Sequence, residues 1–239
     1  TPLAAMGARI DAAPGGTPPL TIHGRGGELV ATDYTLPVAS AQVKSCVLLA
    51  GLYAAGTTRV REPAPSRDHT ERMLAAFGCP VERGDGFVAV TGGGRLRATD
   101  ILVPGDISSA AFFLVGASIA AGSDLRIEGV GMNPTRLGVI QVLRSMGAAI
   151  EVYNERLAGG EPIADLRVRG AELEGVAIPP AVVPSAIDEF PALFVAAACA
   201  RGETLLTGAR ELRVKESDRI AAMAAGLQAL GVDAEPLED

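Results

Sequence analysis

LAAFG at 74–78 and LRSMG at 143–147 each close an apolar run of helical period and lead, within a few residues, into Val or Ile. Glycine adopts the left-handed conformation that stops a helix without a steric cost, so each stretch reads as helix end, turn and strand start. The same pattern stands at LAAMG (3–7) and LQALG (227–231). One copy carries little weight. Four copies, 71, 69 and 84 residues apart, predict a tandem architecture.

A second landmark repeats in step with the first. Gly56, Gly122 and Gly202 each read as closing a helix of small and branched residues, and fourteen residues before them stand Gln42, Ser108 and Asp188. The runs SAAFFLVGASIAA (109–121) and FPALFVAAACA (190–200) are apolar all round, which predicts helices buried on every side. After each glycine comes an alternating stretch, at 57–60, 123–127 and 203–206, that predicts a half-buried strand. Amphipathic helices then open in SRDHTERML (66–74), NPTRLGVIQVL (133–143) and VKESDRIAAM (214–223). The unit is strand–helix–strand–helix–strand–strand, about 70 residues long. The fold class is α/β (α+β), with the tail of one unit at 1–24, two whole units and a third that stops before its last strand. A chain that begins inside a helix and ends inside a strand pair is expected to be a piece of a longer protein.

Composition narrows the classes. The 239 residues are 48% hydrophobic and 21% charged with a net charge of −7, which suits a globular chain rather than a disordered one. No apolar stretch is long enough to span a bilayer and no secretory signal opens the chain, so a cytoplasmic protein with no membrane partner is expected. An acidic balance, no Trp and 4% aromatics argue against a nucleic-acid surface. Three cysteines, Cys46, Cys79 and Cys199, and two histidines fit no metal motif; the cysteines read as small buried core residues.

In this repeat all helices begin at one end, where free N–H groups and the helix dipole favour anions. Ser40, Ala41 and Gln42, then Ser108 and Ser109, then Asp188 and Glu189 open the first helices. Arg67 and His69, then Arg136, then Lys215, Glu216 and Arg219 open the second. Lys215 and Arg219, spaced i, i+4 on one helix, would share a face and call for a shared anion. Plain capping or solvated roles are the alternative at each position, and N-capping is the plain role for Asp188.

Five segments also carry a family resemblance: LPVASAQVKS (36–45), SRDHTE (66–71), PGDISSA (104–110), IDEFP (187–191) and ELRVKESDR (211–219). In this order they resemble the 5-enolpyruvylshikimate-3-phosphate (EPSP) synthase family from end to end of the chain. Ala41, where many members carry a second serine, and SRDHTE are similar to the glyphosate-tolerant subgroup. The resemblance implies two inverse-barrel-like domains of the enolpyruvyl transferase fold, each built of three such units. It places parts of them at 1–104 and 105–239, with the crossover near Pro104–Gly105. It implies transfer of the enolpyruvyl group from phosphoenolpyruvate to the 5-hydroxyl of shikimate 3-phosphate, in the shikimate pathway to chorismate and aromatic amino acids. No cofactor and no metal are implied. The implied partners are these two small molecules alone; a full-length member is implied to be monomeric.

Carried over position by position, the resemblance implies that Ser40, Ala41, Gln42, Arg67, Asp188 and Lys215 bind shikimate 3-phosphate. Gln42, Lys215, Glu216 and Arg219 are implied for phosphoenolpyruvate. Asp188, Lys215 and Glu216 are the implied catalytic set: Asp188 helps remove the hydroxyl proton, and Glu216 protonates the methylene carbon. A donor at neutral pH needs a raised pKa, which is therefore expected of Glu216. The family's Lys-Ser and Arg-Pro segments, its Asp-His-Arg-Ile-Ala segment and a final lysine have no counterpart here. The chain alone is expected to turn over slowly or not at all, and exposed core helices are expected to associate with another copy. The rival readings are an enolpyruvyl transferase acting on UDP-N-acetylglucosamine and a non-catalytic ligand-binding module.

Overall fold

The structure, a computed structural model, describes residues 2–24 and 29–239; Thr1, the first residue of the expected repeat tail, lies outside the described residues. The chain divides into two compact units, Thr1–Ile101 and Leu102–Asp239.

The first unit opens with α1 (Pro2–Ala5) and the antiparallel hairpin β1 (Arg9–Ala13) and β2 (Thr17–His23). It continues as β3 (Leu29–Val30), β4 (Asp33–Thr35), α2 (Ala41–Gly51), β5 (Ala54–Ala55) and β6 (Thr57–Arg61). α3 (His69–Ala76), β7 (Val81–Gly84) and β8 (Phe87–Thr91) follow. A four-stranded sheet has the order β4-β6-β8-β7, with β4 parallel to β6 and the other pairs antiparallel. β6 alternates as the sequence predicts: Thr58 and Val60 point into a core with Leu48, Leu74 and Val90.

The second unit runs α4 (Ile107–Ile119), β9 (Asp124–Gly131), a 3-10 turn at Pro134–Arg136 and α5 (Gly138–Ser145). The strands β10 (Ala149–Ala158) and β11 (Glu161–Arg169) come next. Then follow β12 (Ala177–Ile178), α6 (Val183–Ala186), α7 (Phe190–Cys199), β13 (Leu205–Leu206), a 3-10 turn at Arg210–Val214 and α8 (Arg219–Ala229). Its core is built on Leu114, Leu143, Leu166, Leu193 and Phe190, all buried.

The four Leu-x-x-x-Gly stretches form one and the same helix stop. Gly7, Gly78, Gly147 and Gly231 all have φ between +76° and +94°. In each, the N–H two residues past the last helical turn returns to the leucine carbonyl: Ala8 to Leu3, Cys79 to Leu74 and Ala148 to Leu143 at 2.9 Å, and Val232 to Leu227 at 3.0 Å. The glycine N–H bonds one residue further along, to Ala4, Ala75, Arg144 and Gln228. This paired closure is the Schellman arrangement, and it satisfies carbonyls that a helix end leaves open. A second recurrence lies in the sheets. The strand before each first helix pairs in parallel with the strand after it: Asp33 with Arg59, Gly105 with Val130 and Ala177 with Leu205.

Several expectations are corrected. Gly56 does not close α2, which ends at Gly51; the chain passes through β5 before Gly56 turns it, at φ +103°, into β6. The strand expected before α4 shrinks to the single Gly105–Val130 bridge. The apolar helices are not buried on every side, since Phe112 and Phe113 on α4 and Val195 on α7 stand exposed. Of the three cysteines only Cys79 is buried, and that burial pushes its thiol pKa up; Cys46 and Cys199 are exposed.

β10 and β11 carry a buried carboxylate at a bulge. Asn154, at φ +54°, breaks the register between Tyr153 and Arg156, and asparagine tolerates that left-handed backbone better than most residues. The space it opens is taken by Asp165, which accepts from the Asn154 amide at 2.9 Å, the Gly129 N–H at 2.8 Å and Arg156 at 3.2 Å. The Asn154 bond first, then Gly129 and Arg156, hold its carboxyl below the usual aspartate range. A carboxylate depressed in the folded state stabilises fully above its unfolded pKa and loses that contribution as pH falls through the folded value. Urea unfolding of this unit should therefore weaken as pH drops through and below the ordinary aspartate range. Asp165→Asn should flatten that acid limb; an unchanged limb would contradict the assignment.

Candidate functional site

In the first unit, Ser40 caps α2: its backbone is extended (φ −147°, ψ 107°) and its hydroxyl accepts from the Val43 N–H at 3.3 Å. Ala41 and Gln42 follow in the first turn, with Gln42 exposed. Arg67 stands two residues before α3 and is half-buried. The segment that carries it, between β6 and α3, is tied to α2 by side chains. Lys44 reaches Glu62 at 2.9 Å, Glu71 at 2.8 Å and the Ser66 carbonyl at 3.4 Å. Ser45 bonds Thr70 at 2.7 Å, and the Ser66 hydroxyl donates to Glu62.

In the second unit, the structure brings Asp188, Arg219 and Glu216 together. Arg219 opens α8 and meets Glu216 at 2.6 Å and Asp188 at 3.5 Å. Asp218 caps the helix by accepting from the Ala221 N–H at 2.9 Å and pairs with Arg213 at 2.7 Å. Asp188 is not a cap: Glu189 holds the residue position before α7 and its side chain makes no capping bond. Glu189 is instead turned into the core. It accepts from the Ser108 hydroxyl and lies 3.4 Å from Arg136, which also meets Asp106 at 3.0 Å. The buried pair pins the peptide that carries Asp188.

Two expectations change here. Lys215 and Arg219 do not share a helix face, because Lys215 precedes α8 in extended backbone at the end of a 3-10 turn. Lys215 bonds Glu211 at 2.5 Å and so is neutralised separately. The second change is at Glu216, where a raised pKa was expected. A bond from its own backbone N–H and then the Arg219 guanidinium hold it below the usual glutamate range, with Lys215 adding to the pull. The side chain is 73% exposed, so what burial it has opposes these bonds without outweighing them.

Helix starts were readable because cap residues and charges lie beside one another in sequence. The pairings among Lys44, Glu62 and Glu71 and among Ser108, Arg136 and Glu189 were not, since the partners lie 18 to 81 residues apart. Among the described residues no group of His, Cys, Asp and Glu is placed to hold a metal ion. No single helix among them is long and apolar enough to cross a membrane.

The geometry can be set beside known proteins. The family model for EPSP synthase (3-phosphoshikimate 1-carboxyvinyltransferase) matches residues 1–239. The chain is 70% identical over 238 residues to the 3-phosphoshikimate 1-carboxyvinyltransferase of Alkalilimnicola ehrlichii and 65% identical to that of Methylococcus capsulatus. All of this chain is covered in both, but 53% and 54% of theirs, so the chain spans about half the length of these curated relatives. Among solved structures, EPSP synthase from Acinetobacter baumannii is similar at TM-score 0.90 and 59% identity, over all of this chain and 54% of that one. The enolpyruvyl transferase NikO from Streptomyces tendae shares the fold, at TM-score 0.65 and 18% identity over 85% of this chain and 49% of its own. With a family model matched from its first residue to its last, this chain belongs to the EPSP synthase family.

Proposed function

We propose that this chain forms part of an enzyme that moves the enolpyruvyl group of phosphoenolpyruvate to the 5-hydroxyl of shikimate 3-phosphate. The observation that carries the reading is the grouping of Asp188, Glu216 and Arg219 at the start of α8. Those three residue types at one helix start supply an anion clamp, a proton donor and a proton acceptor. On this reading the units Thr1–Ile101 and Leu102–Asp239 belong to the two domains of such an enzyme. Ser40, Gln42 and Arg67 bind shikimate 3-phosphate, with Ala41 beside them in the first turn of α2.

Protonation of the methylene carbon makes the adjacent carbon cationic, and the 5-hydroxyl oxygen bonds to that adjacent carbon as Asp188 draws off the hydroxyl proton. The tetrahedral adduct then loses a proton from its new methyl group as its C–O bond to phosphate breaks, which restores the enol ether and releases inorganic phosphate. Glu216 enters the reaction from an ionised state, held by Arg219. An anionic substrate that takes over Arg219 removes that partner, and the carboxyl pKa then rises toward the range where it carries a proton. Lys215 has the matching exchange with Glu211 to make. The enzyme works without a cofactor, and its further partners are the two small molecules; a cytoplasmic setting fits that biosynthetic role.

The test is calorimetric titration of shikimate 3-phosphate into the chain and into Arg67→Ala and Asp188→Asn. Each substitution removes a charge-assisted bond worth roughly 1.5–3 kcal/mol, so affinity should fall roughly 10- to 100-fold. Unchanged affinity in both variants would contradict the assignment.

A further inference from the structure

We infer that Lys44 is a positioning residue that holds the Arg67 segment against α2, an inference that rests on the substrate reading of Arg67 above. Lys44 does not reach substrate, because it is 1% exposed and its ammonium is fully engaged within the protein. Its three contacts bracket Arg67 in sequence. Glu62 directly follows β6, the Ser66 carbonyl immediately precedes Arg67, and Glu71 sits in the first turn of α3. The Ser45–Thr70 bond and the Ser66–Glu62 bond close the same seam from either side. Lys44 also stands one turn along α2 from Ser40, whose cap its own N–H completes by bonding the Ser40 carbonyl at 3.0 Å. One side chain therefore sets the distance between the Ser40–Gln42 turn and Arg67.

The composition of the cluster argues against a role in stability alone. One ammonium faces two carboxylates, and Glu71 is 1% exposed with its second oxygen unpartnered. Well-packed apolar side chains often replace a whole buried ionic cluster without loss of stability. An apolar filling leaves the Ser66 carbonyl and Glu62 without their common anchor, so the loop between β6 and α3 loses its fixed path.

The test uses the full chain with Lys44→Met/Glu62→Gln/Glu71→Met, which replaces the buried cluster without stranding the Glu62 charge. Two readouts are taken: tryptic cleavage after Arg67 relative to cleavage after Arg95, and shikimate 3-phosphate affinity with and without Arg67→Ala. Cleavage after Arg67 should rise while cleavage after Arg95 stays constant, since proteolysis reports local opening. Affinity should fall on the order of 10-fold, the worth of one misplaced charge-assisted bond, and should not fall further once Arg67 is alanine. Unchanged cleavage and affinity would overturn the inference, as would an equal loss of affinity in both Arg67 backgrounds. Failure of the unsubstituted chain to bind would overturn the substrate reading instead, and the cleavage ratio would still decide whether Lys44 holds the segment.

Discussion

Glu189→Ala should destabilise the second unit by about 3 kcal/mol, because it strips the carboxylate from a buried ion pair and leaves the Arg136 charge behind. The figure sits at the low end of the usual range for breaking a buried pair. Asp106, 3.0 Å from the guanidinium and half-exposed, still faces the charge. Ser108 loses its acceptor at the same time, and the Arg136 Nε is already buried without a partner. Urea unfolding measures the loss as a lower midpoint at unchanged slope. Arg136→Ala combined with Glu189→Ala should cost less than the sum of the two single changes, since the stranded charge is then gone. Additive losses would mean that the two side chains do not act as a pair.

Gly92→Ala should be comparably damaging, for a backbone rather than an electrostatic reason. A Cβ at Gly92 would lie 1.9 Å from the Ala54 carbonyl oxygen and 2.6 Å from that of Gly51. Both obstacles are main chain, at the junction of α2 with β5, so neither can rotate away. The chain must shift β8 or the end of α2, and overpacking of this kind costs about 3 kcal/mol, near the top of its usual range. Gly170 occupies the same place in the second unit, after β11, with the Ala120 carbonyl oxygen 2.3 Å from its would-be Cβ. Urea midpoints of Gly92→Ala and Gly170→Ala should fall together. A change within about 0.5 kcal/mol, typical of an indifferent surface site, would contradict the close approach.

These glycines show where sequence was legible and where it was not. Gly7, Gly78, Gly147 and Gly231 could be read because the helix stop they form is local: leucine, three residues and a left-handed glycine close it without help. The repeat period and fold class followed from that. Gly92 and Gly170 have no such signature, since the reason for them lies 38 to 50 residues away in the chain. Gly56 was misread for the related reason that a short strand can intervene between helix and turn without changing the pattern of small residues.

The site divides in the same way. Ser40 could be read as a cap and Arg219 as a helix-start cation, because neighbours in sequence define both roles. The shared helix face of Lys215 and Arg219 failed, since Asp218 caps α8 and leaves Lys215 outside it. The depressed pKa of Glu216 was hidden because it depends on which cation the side chain meets. Lys44 stands in the sequence only as part of the LPVASAQVKS segment, and it is the fold that brings it to Glu62 and Glu71.

The most direct test of the account is calorimetric titration of the chain with shikimate 3-phosphate, with UDP-N-acetylglucosamine as comparator. Saturable binding of shikimate 3-phosphate alone, weakened in Arg67→Ala, is the expected result. Binding of the nucleotide sugar alone, or of neither ligand, would contradict it.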